Sequence, residues 1–173
     1  MAGPEERPID KQWVSRPVLR GDIEFKNVVF KYPGEEREAL SGVSFRIRAG
    51  EKIGILGRVG SGKSTLEKLI LGLYQPSAGA VFVDGVNLSQ IDPAELRRNI
   101  GYIPQDVRLM YGSIRDNIML SGDPLTGEQL LHAVQLSGLG GLIGNHADGL
   151  GMQVGEGGGR LSGGQRQAVA VAR

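Results

Sequence analysis

The chain has 173 residues, with 20 basic and 19 acidic side chains, 28 glycines, two histidines and no cysteine. A net charge of +1 gives no sign of a nucleic-acid surface or a polybasic membrane patch, and the missing cysteines exclude disulfides and thiolate metal sites. His132 and His146 are too few for a histidine metal cluster, no apolar run approaches the roughly 18–20 residues of a membrane span, and Met1 to Arg20 lacks an apolar signal-peptide core. The segment therefore reads as soluble and cytosolic, with a length that suits one domain.

Residues 1–20, with Pro4, Pro8 and Pro17 among mixed charges, read as a linker. Ile23 to Phe30 is strand-like. Val43 to Arg48 alternates apolar and polar residues, the pattern of a half-buried strand. Lys52 to Leu56 is a short apolar run that predicts a buried strand. A glycine loop follows, and then Leu66, Leu69, Ile70 and Leu73 recur at helical spacing on one face. Glu67 flanks that stripe, which leaves two outcomes open: emergence at the helix edge, or a packing cost. Ala80 to Val83 predicts another strand. Asp92-Pro93-Ala94-Glu95 is a helix start with a cap, a proline at the first position and a carboxylate in the first turn. Gly101 to Ile103 predicts a short strand. Beyond Pro104 the texture changes, and residues 106–165 read as mostly helical. Ser113 to Asn117, Thr126 to Ser137 and Ser162 onward carry helix signals, and Thr126/Gln129 and Ser162/Gln165 each fit a capping box.

Gly57-Arg58-Val59-Gly60-Ser61-Gly62-Lys63-Ser64 matches G-x-x-x-x-G-K-[ST] between a predicted strand and a predicted helix. Glycines let backbone N–H groups curl around a phosphate, and the helix N-terminus adds its positive end. Lys63 is placed to reach the β- and γ-phosphates, and the Ser64 hydroxyl to bind Mg²⁺. About a hundred residues later comes Leu161-Ser162-Gly163-Gly164-Gln165, a glycine-rich capped helix start that is also an anion site.

A Walker A loop followed at this distance by LSGGQ resembles the ABC ATPase family. The resemblance implies an α/β P-loop NTPase core with an antiparallel β subdomain and a helical signature subdomain. It implies ATP and Mg²⁺ as cofactors, held by Gly57 to Thr65, with Ser162, Gly163, Gly164 and Gln165 facing the γ-phosphate of an ATP on a second cassette in a head-to-tail dimer. Tyr32, in Phe30-Lys31-Tyr32-Pro33, matches the aromatic that stacks on adenine. Gln105 matches the glutamine that contacts Mg²⁺ and the attacking water. Glu156, in Val154-Gly155-Glu156, resembles the X-loop carboxylate that meets the coupling helices of a transmembrane domain. Gln105 and Met110 belong to the same expected surface. By this resemblance Lys63 and Gln105 are the catalytic candidates and Ser64 and Gln105 the metal ligands.

Residues 16–25, the Gly57 loop, 93–105 and 111–118 look more narrowly like bacterial type I secretion exporters. These act at the cytoplasmic face of the inner membrane, passing large RTX-type adhesins or toxins to a periplasmic adaptor and an outer-membrane channel. Residues 21–173 then form a nucleotide-binding domain that is C-terminally incomplete, with residues 1–20 leading from a transmembrane domain. The Asp-Glu strand and the switch histidine of the family have no counterpart before Arg173, so residues 1–173 alone are expected to hydrolyse ATP poorly and to fold poorly. Two alternatives stay open: a nucleotide-binding fragment without hydrolysis, and a soluble ABC ATPase of DNA repair or translation. The exporter-type X-loop and the near-neutral charge disfavour the latter, and no nucleic-acid partner is expected.

Overall fold

A computed structural model describes Pro8, residues 11–121 and residues 125–173. The chain divides into two compact units, Met1–Gly101 and Tyr102–Arg173.

The first unit is built on a four-stranded sheet in the order β2-β1-β3-β4. Its strands are β1 (Ile23–Lys31), β2 (Glu38–Ile47), β3 (Ala78–Val83) and β4 (Val86–Asn87), all paired antiparallel. A register shift at the left-handed Asn27 lets Phe25 share one core with Val28 and Phe30 further along β1, and with Leu40, Val81 and Val83. Phe25 stacks on its partly buried cross-strand partner Phe45 at 4.5 Å between ring centroids, and full burial of a side chain such as Phe25 contributes about 1.5–3 kcal/mol. Helix α1 (Lys63–Ile70) adds Leu66 and Leu69 to this core. Glu67, on its flank, is exposed, so the carboxylate emerges at the helix edge. Leu73 lies beyond the helix end and is half exposed. The apolar stripe is shorter than its spacing suggests because the chain turns at Leu71 and Gly72. Helix α2 (Pro93–Arg98) starts as expected, with the Asp92 carboxylate accepting from Ala94 N–H at 2.8 Å.

Of the expected linker, residues 1–7, 9 and 10 lie outside the described residues. The segment from Lys11 to Asp22 is held by three side chains. Glu95 accepts from the Ser15 hydroxyl and from Arg16 N–H. Asn99 accepts from Leu19 N–H and donates to the Pro17 carbonyl. Asp84 accepts from the N–H groups of Arg20 and Asp22.

Two expected strands do not form. Lys52 to Leu56 pairs with no strand among the described residues, and Ile53, Ile55 and Leu56 are 50%, 43% and 97% exposed. Gly101 to Ile103 likewise forms no strand, with Tyr102 and Ile103 half exposed. Apolar character marks a chain suited to a sheet, but a strand exists only where a neighbour meets its N–H and C=O groups.

The second unit is helical, with α3 (Ile114–Ile118), α4 (Gly127–Leu136), α5 (Gly140–Gly144) and α6 (Gly163–Ala172) joined by short 3₁₀ turns. Ile114, Ile118, Leu130, Val134, Leu139, Val154, Leu161 and Val169 make its core. Capping boxes start α4 at Thr126/Gln129 and α6 at Ser162/Gln165, as the sequence predicts. A third starts α3, where the Asp116 carboxylate accepts from the N–H and hydroxyl of Ser113. Those bonds, the hydroxyl's first, hold the Asp116 carboxyl below its ordinary value. Asn117 is fully buried. Its amide donates to the carbonyls of Met110 and Ser113, and its Oδ1 accepts from Met110 N–H at 2.8 Å. Arg173 also reaches it, through the Asn117 carbonyl and Oδ1.

Asn117→Ala strips the Met110 N–H and C=O of their partner. Leaving buried polar groups unmet costs about 1–3 kcal/mol, and these part-buried ones fall toward the lower end. In a cassette carrying this sequence the substitution should lower the thermal midpoint by several degrees. An unchanged midpoint in a melt followed by circular dichroism would show that water replaces the amide and that the buried asparagine is dispensable.

Candidate functional site

The phosphate-loop match folds as a turn leading directly into α1. Ser61 N–H donates to the Arg58 carbonyl, and Thr65 and Leu66 N–H donate to the Gly62 carbonyl. Gly62 is the N-cap of α1, with φ +89, a left-handed conformation that glycine adopts without strain. A Cβ there would stand 2.7 Å from the Ala39 carbonyl oxygen and from Leu40 Cδ2. At Gly57 a Cβ would stand 2.5 Å from the Ser61 hydroxyl. The motif glycines therefore allow both a tight loop and a close seat against β2. No side chain caps the N-terminus of α1 and no acidic residue lies in its first turn, so its positive end is left for an anion. The Lys63 ammonium folds back over the loop, donating to the carbonyls of Gly57 and Arg58 at 2.9 and 2.8 Å.

A cavity of about 320 Å³ opens beside this loop, lined by Tyr32, Glu35, Arg37, Glu38, Ala39 and Gly60 to Thr65. The structure thus brings together Tyr32 and the second half of the loop from a separation of about thirty residues, because β1 ends beside the start of α1. Gly57, Arg58 and Val59 do not line the cavity. The first two give their carbonyls to Lys63, and Val59 is fully exposed. Ser64 lines the cavity with an exposed side chain, and Thr65 is buried with its hydroxyl 3.1 Å from that of Tyr32. Sequence reasoning missed Glu35, Arg37 and Glu38, which reach the cavity from the turn after Tyr32. The signal for them was the Pro33-Gly34 turn, which carries the chain around the aromatic.

The remaining candidates belong to the second unit. Ser162 caps α6: its hydroxyl accepts from Gln165 N–H at 3.2 Å and Gln165 Oε1 accepts from Ser162 N–H at 2.8 Å. The two polar side chains of the motif are thus each engaged with the other residue's backbone N–H, while Gly163 and Gly164 expose bare backbone in the first turn. Leu161 anchors the start of the motif in the core, its carbonyl held by Arg166. Gln105 lies in an exposed loop near the start of the unit. Met110 is 62% and Tyr111 85% exposed. The chain just beyond them is bridged to the segment before Glu156, through Ile114 N–H to Met152 C=O and Val154 N–H to Gly112 C=O. Glu156 is exposed at the start of a 3₁₀ turn.

A profile of the ABC transporter family matches residues 40–173. The exotoxin translocation ATP-binding protein PaxB of Pasteurella aerogenes is 46% identical over 160 residues, which is 92% of this chain and 22% of that protein. The leukotoxin translocation ATP-binding protein LktB of Mannheimia haemolytica is also 46% identical over 160 residues, covering 92% of this chain and 23% of its own length. This chain thus spans under a quarter of the curated relatives it matches. Among solved structures, a bacterial Atm1-family ABC exporter with ATP bound superposes with a TM-score of 0.85 and 32% identity, over 95% of this chain and 30% of that one. With the phosphate loop, the antiparallel sheet and the capped signature helix in place, the chain belongs to the ABC transporter family and has the ABC ATPase fold.

Proposed function

We propose that this chain binds Mg-ATP and that the whole protein hydrolyses it to drive export across the bacterial inner membrane, in type I protein secretion. The observation that carries the reading is the cavity with Tyr32 at one side and the Gly60–Thr65 loop at the other. That arrangement offers an aromatic surface for a base and backbone donors for a polyphosphate in one site. The relatives named for exotoxin and leukotoxin translocation support the secretion assignment.

The residues fit the nucleotide on chemical grounds. Adenine stacks on the Tyr32 ring, and the phosphates lie against the first-turn N–H groups of α1. The Lys63 ammonium, held by two loop carbonyls, needs only a change of partner to reach the β- and γ-phosphates. Ser64, which lines the cavity, offers the hydroxyl for Mg²⁺. Magnesium, when bound, neutralises charge that builds on the phosphoryl oxygens. The α6 start at Ser162–Gln165 serves the γ-phosphate of an ATP on a second cassette, its exposed glycine backbone supplying the donors. Met110 and Glu156, with Gln105, form the surface for the transmembrane domain. The export path continues through a periplasmic adaptor and an outer-membrane channel.

Lys63→Ala should abolish most ATP turnover and sharply weaken nucleotide binding in the intact protein. Calorimetry and phosphate release check this, and wild-type values for both would remove Lys63 from its role.

Tyr32→Ala should weaken ATP binding by about 1–3 kcal/mol, the usual worth of a base stacked on an aromatic side chain, while Tyr32→Trp should largely retain it. Loss with tryptophan but not with alanine, read in the same titrations, would mean that the ring serves packing alone.

A further inference from the structure

The Tyr32 ring is held from several sides, and two of its contacts come from the helix that starts in the phosphate loop. Phe30 and Tyr74 pack on it at 4.9 and 5.4 Å between ring centroids, both nearly perpendicular to it. The Tyr32 and Thr65 hydroxyls share a hydrogen bond of 3.1 Å. The Lys68 ammonium donates to the Tyr32 hydroxyl at 3.4 Å and stands at the hydroxyl end of the ring, 5.1 Å from its centroid. Thr65 and Lys68 are three residues apart on α1, so both project from one face of the helix. Thr65 is buried and lines the nucleotide cavity; Lys68 is half-buried and is not among the cavity's lining residues.

We propose that Lys68 is a positioning residue for base recognition: with Thr65 it fixes the Tyr32 ring in the orientation that adenine stacks upon. The inference rests on the adenine-stacking reading above and goes beyond it by assigning a residue that makes no contact with the nucleotide. The physical basis is twofold. A cation near an aromatic ring is attracted by the ring quadrupole, and its hydrogen bond to the phenol oxygen anchors the far end of the side chain, while Phe30 and Tyr74 hold the ring against rotation about its long axis. Because the same helix begins in the phosphate loop, the distance from phosphate site to base platform is set by one rigid element rather than by two independent loops. A ring fixed before the nucleotide arrives loses less freedom on binding, which is the source of the affinity gain.

The test separates base from phosphate. Intact protein is titrated calorimetrically with Mg-ATP and, in parallel, with inorganic triphosphate, which has no base. Lys68→Met keeps the length of the side chain and removes the charge and the donor. It should weaken ATP about two- to fivefold, the range expected for one partly exposed cation–aromatic contact, and leave triphosphate affinity unchanged. Lys68→Arg, which keeps a cation and donors, should restore the ATP value. In a Tyr32→Ala background, Lys68→Met should have no further effect. Equal weakening of ATP and triphosphate would overturn the proposal and make Lys68 a general attractor of phosphate charge. Unchanged ATP affinity in Lys68→Met, with Tyr32→Ala still costly, would overturn the positioning role while leaving adenine stacking intact. If Tyr32→Ala itself costs nothing for ATP, the stacking reading fails and this inference falls with it.

Discussion

Gly62 meets β2 so closely that no side chain fits between its Cα and the Ala39 carbonyl, and this one junction orients α1. From it the rest of the first unit follows. With its axis set there, α1 buries Leu66 and Leu69 in the sheet's core and presents an uncapped, acid-free N-terminus beside the cavity. The next turn of the same helix carries Thr65 and Lys68 to the tyrosine at the end of β1. A single left-handed residue thus relates three parts of the proposed nucleotide site: a positive helix end, a lysine looped over its own carbonyls, and an aromatic ring.

The second unit is organised differently, around a buried polar side chain. Asn117 satisfies both backbone groups of Met110 and is itself reached by Arg173, beyond the last turn of α6. The helix that starts with Ser162 and the exposed Met110–Tyr111 edge therefore share one hydrogen-bonded centre. A fully satisfied buried amide fixes one arrangement of its neighbours, because every alternative leaves a donor or an acceptor unmet. That property suits a unit whose proposed work is to present a helix start and an exposed edge in fixed relation.

Much of this was legible in the sequence where local chemistry decides the outcome. The β1 and β3 strands follow from their apolar runs, the second half of β2 from alternation, α2 from Asp92-Pro93, and α4 and α6 from their capping boxes. The Gly57–Ser64 motif was legible from its spacing, and of the strand and helix expected around it only the helix, α1, forms. The signals failed where a distant partner decides. Lys52 to Leu56 and Gly101 to Ile103 have the composition of strands, yet nothing local shows whether another strand will lie beside them. The hold on the Lys11–Asp22 segment was invisible for the same reason: Glu95, Asn99 and Asp84 are ordinary polar residues until the fold brings them within reach of its backbone. The support of Tyr32 by Lys68 lay between these cases. Helical spacing from Thr65 was readable, but the approach of β1 to α1 was not.

The account stands or falls on the Gly62 junction as the element that sets the nucleotide site. The most direct measurement is the ATP affinity of Gly62→Ala in the intact protein, taken by calorimetry beside a circular-dichroism melt. An alanine there faces the left-handed backbone penalty of about 1–2 kcal/mol and a contact with the Ala39 carbonyl that only a shift of the loop relieves. The predicted result is a folded protein whose ATP affinity falls by about tenfold or more. A folded Gly62→Ala protein that binds ATP as tightly as the wild type would contradict the account.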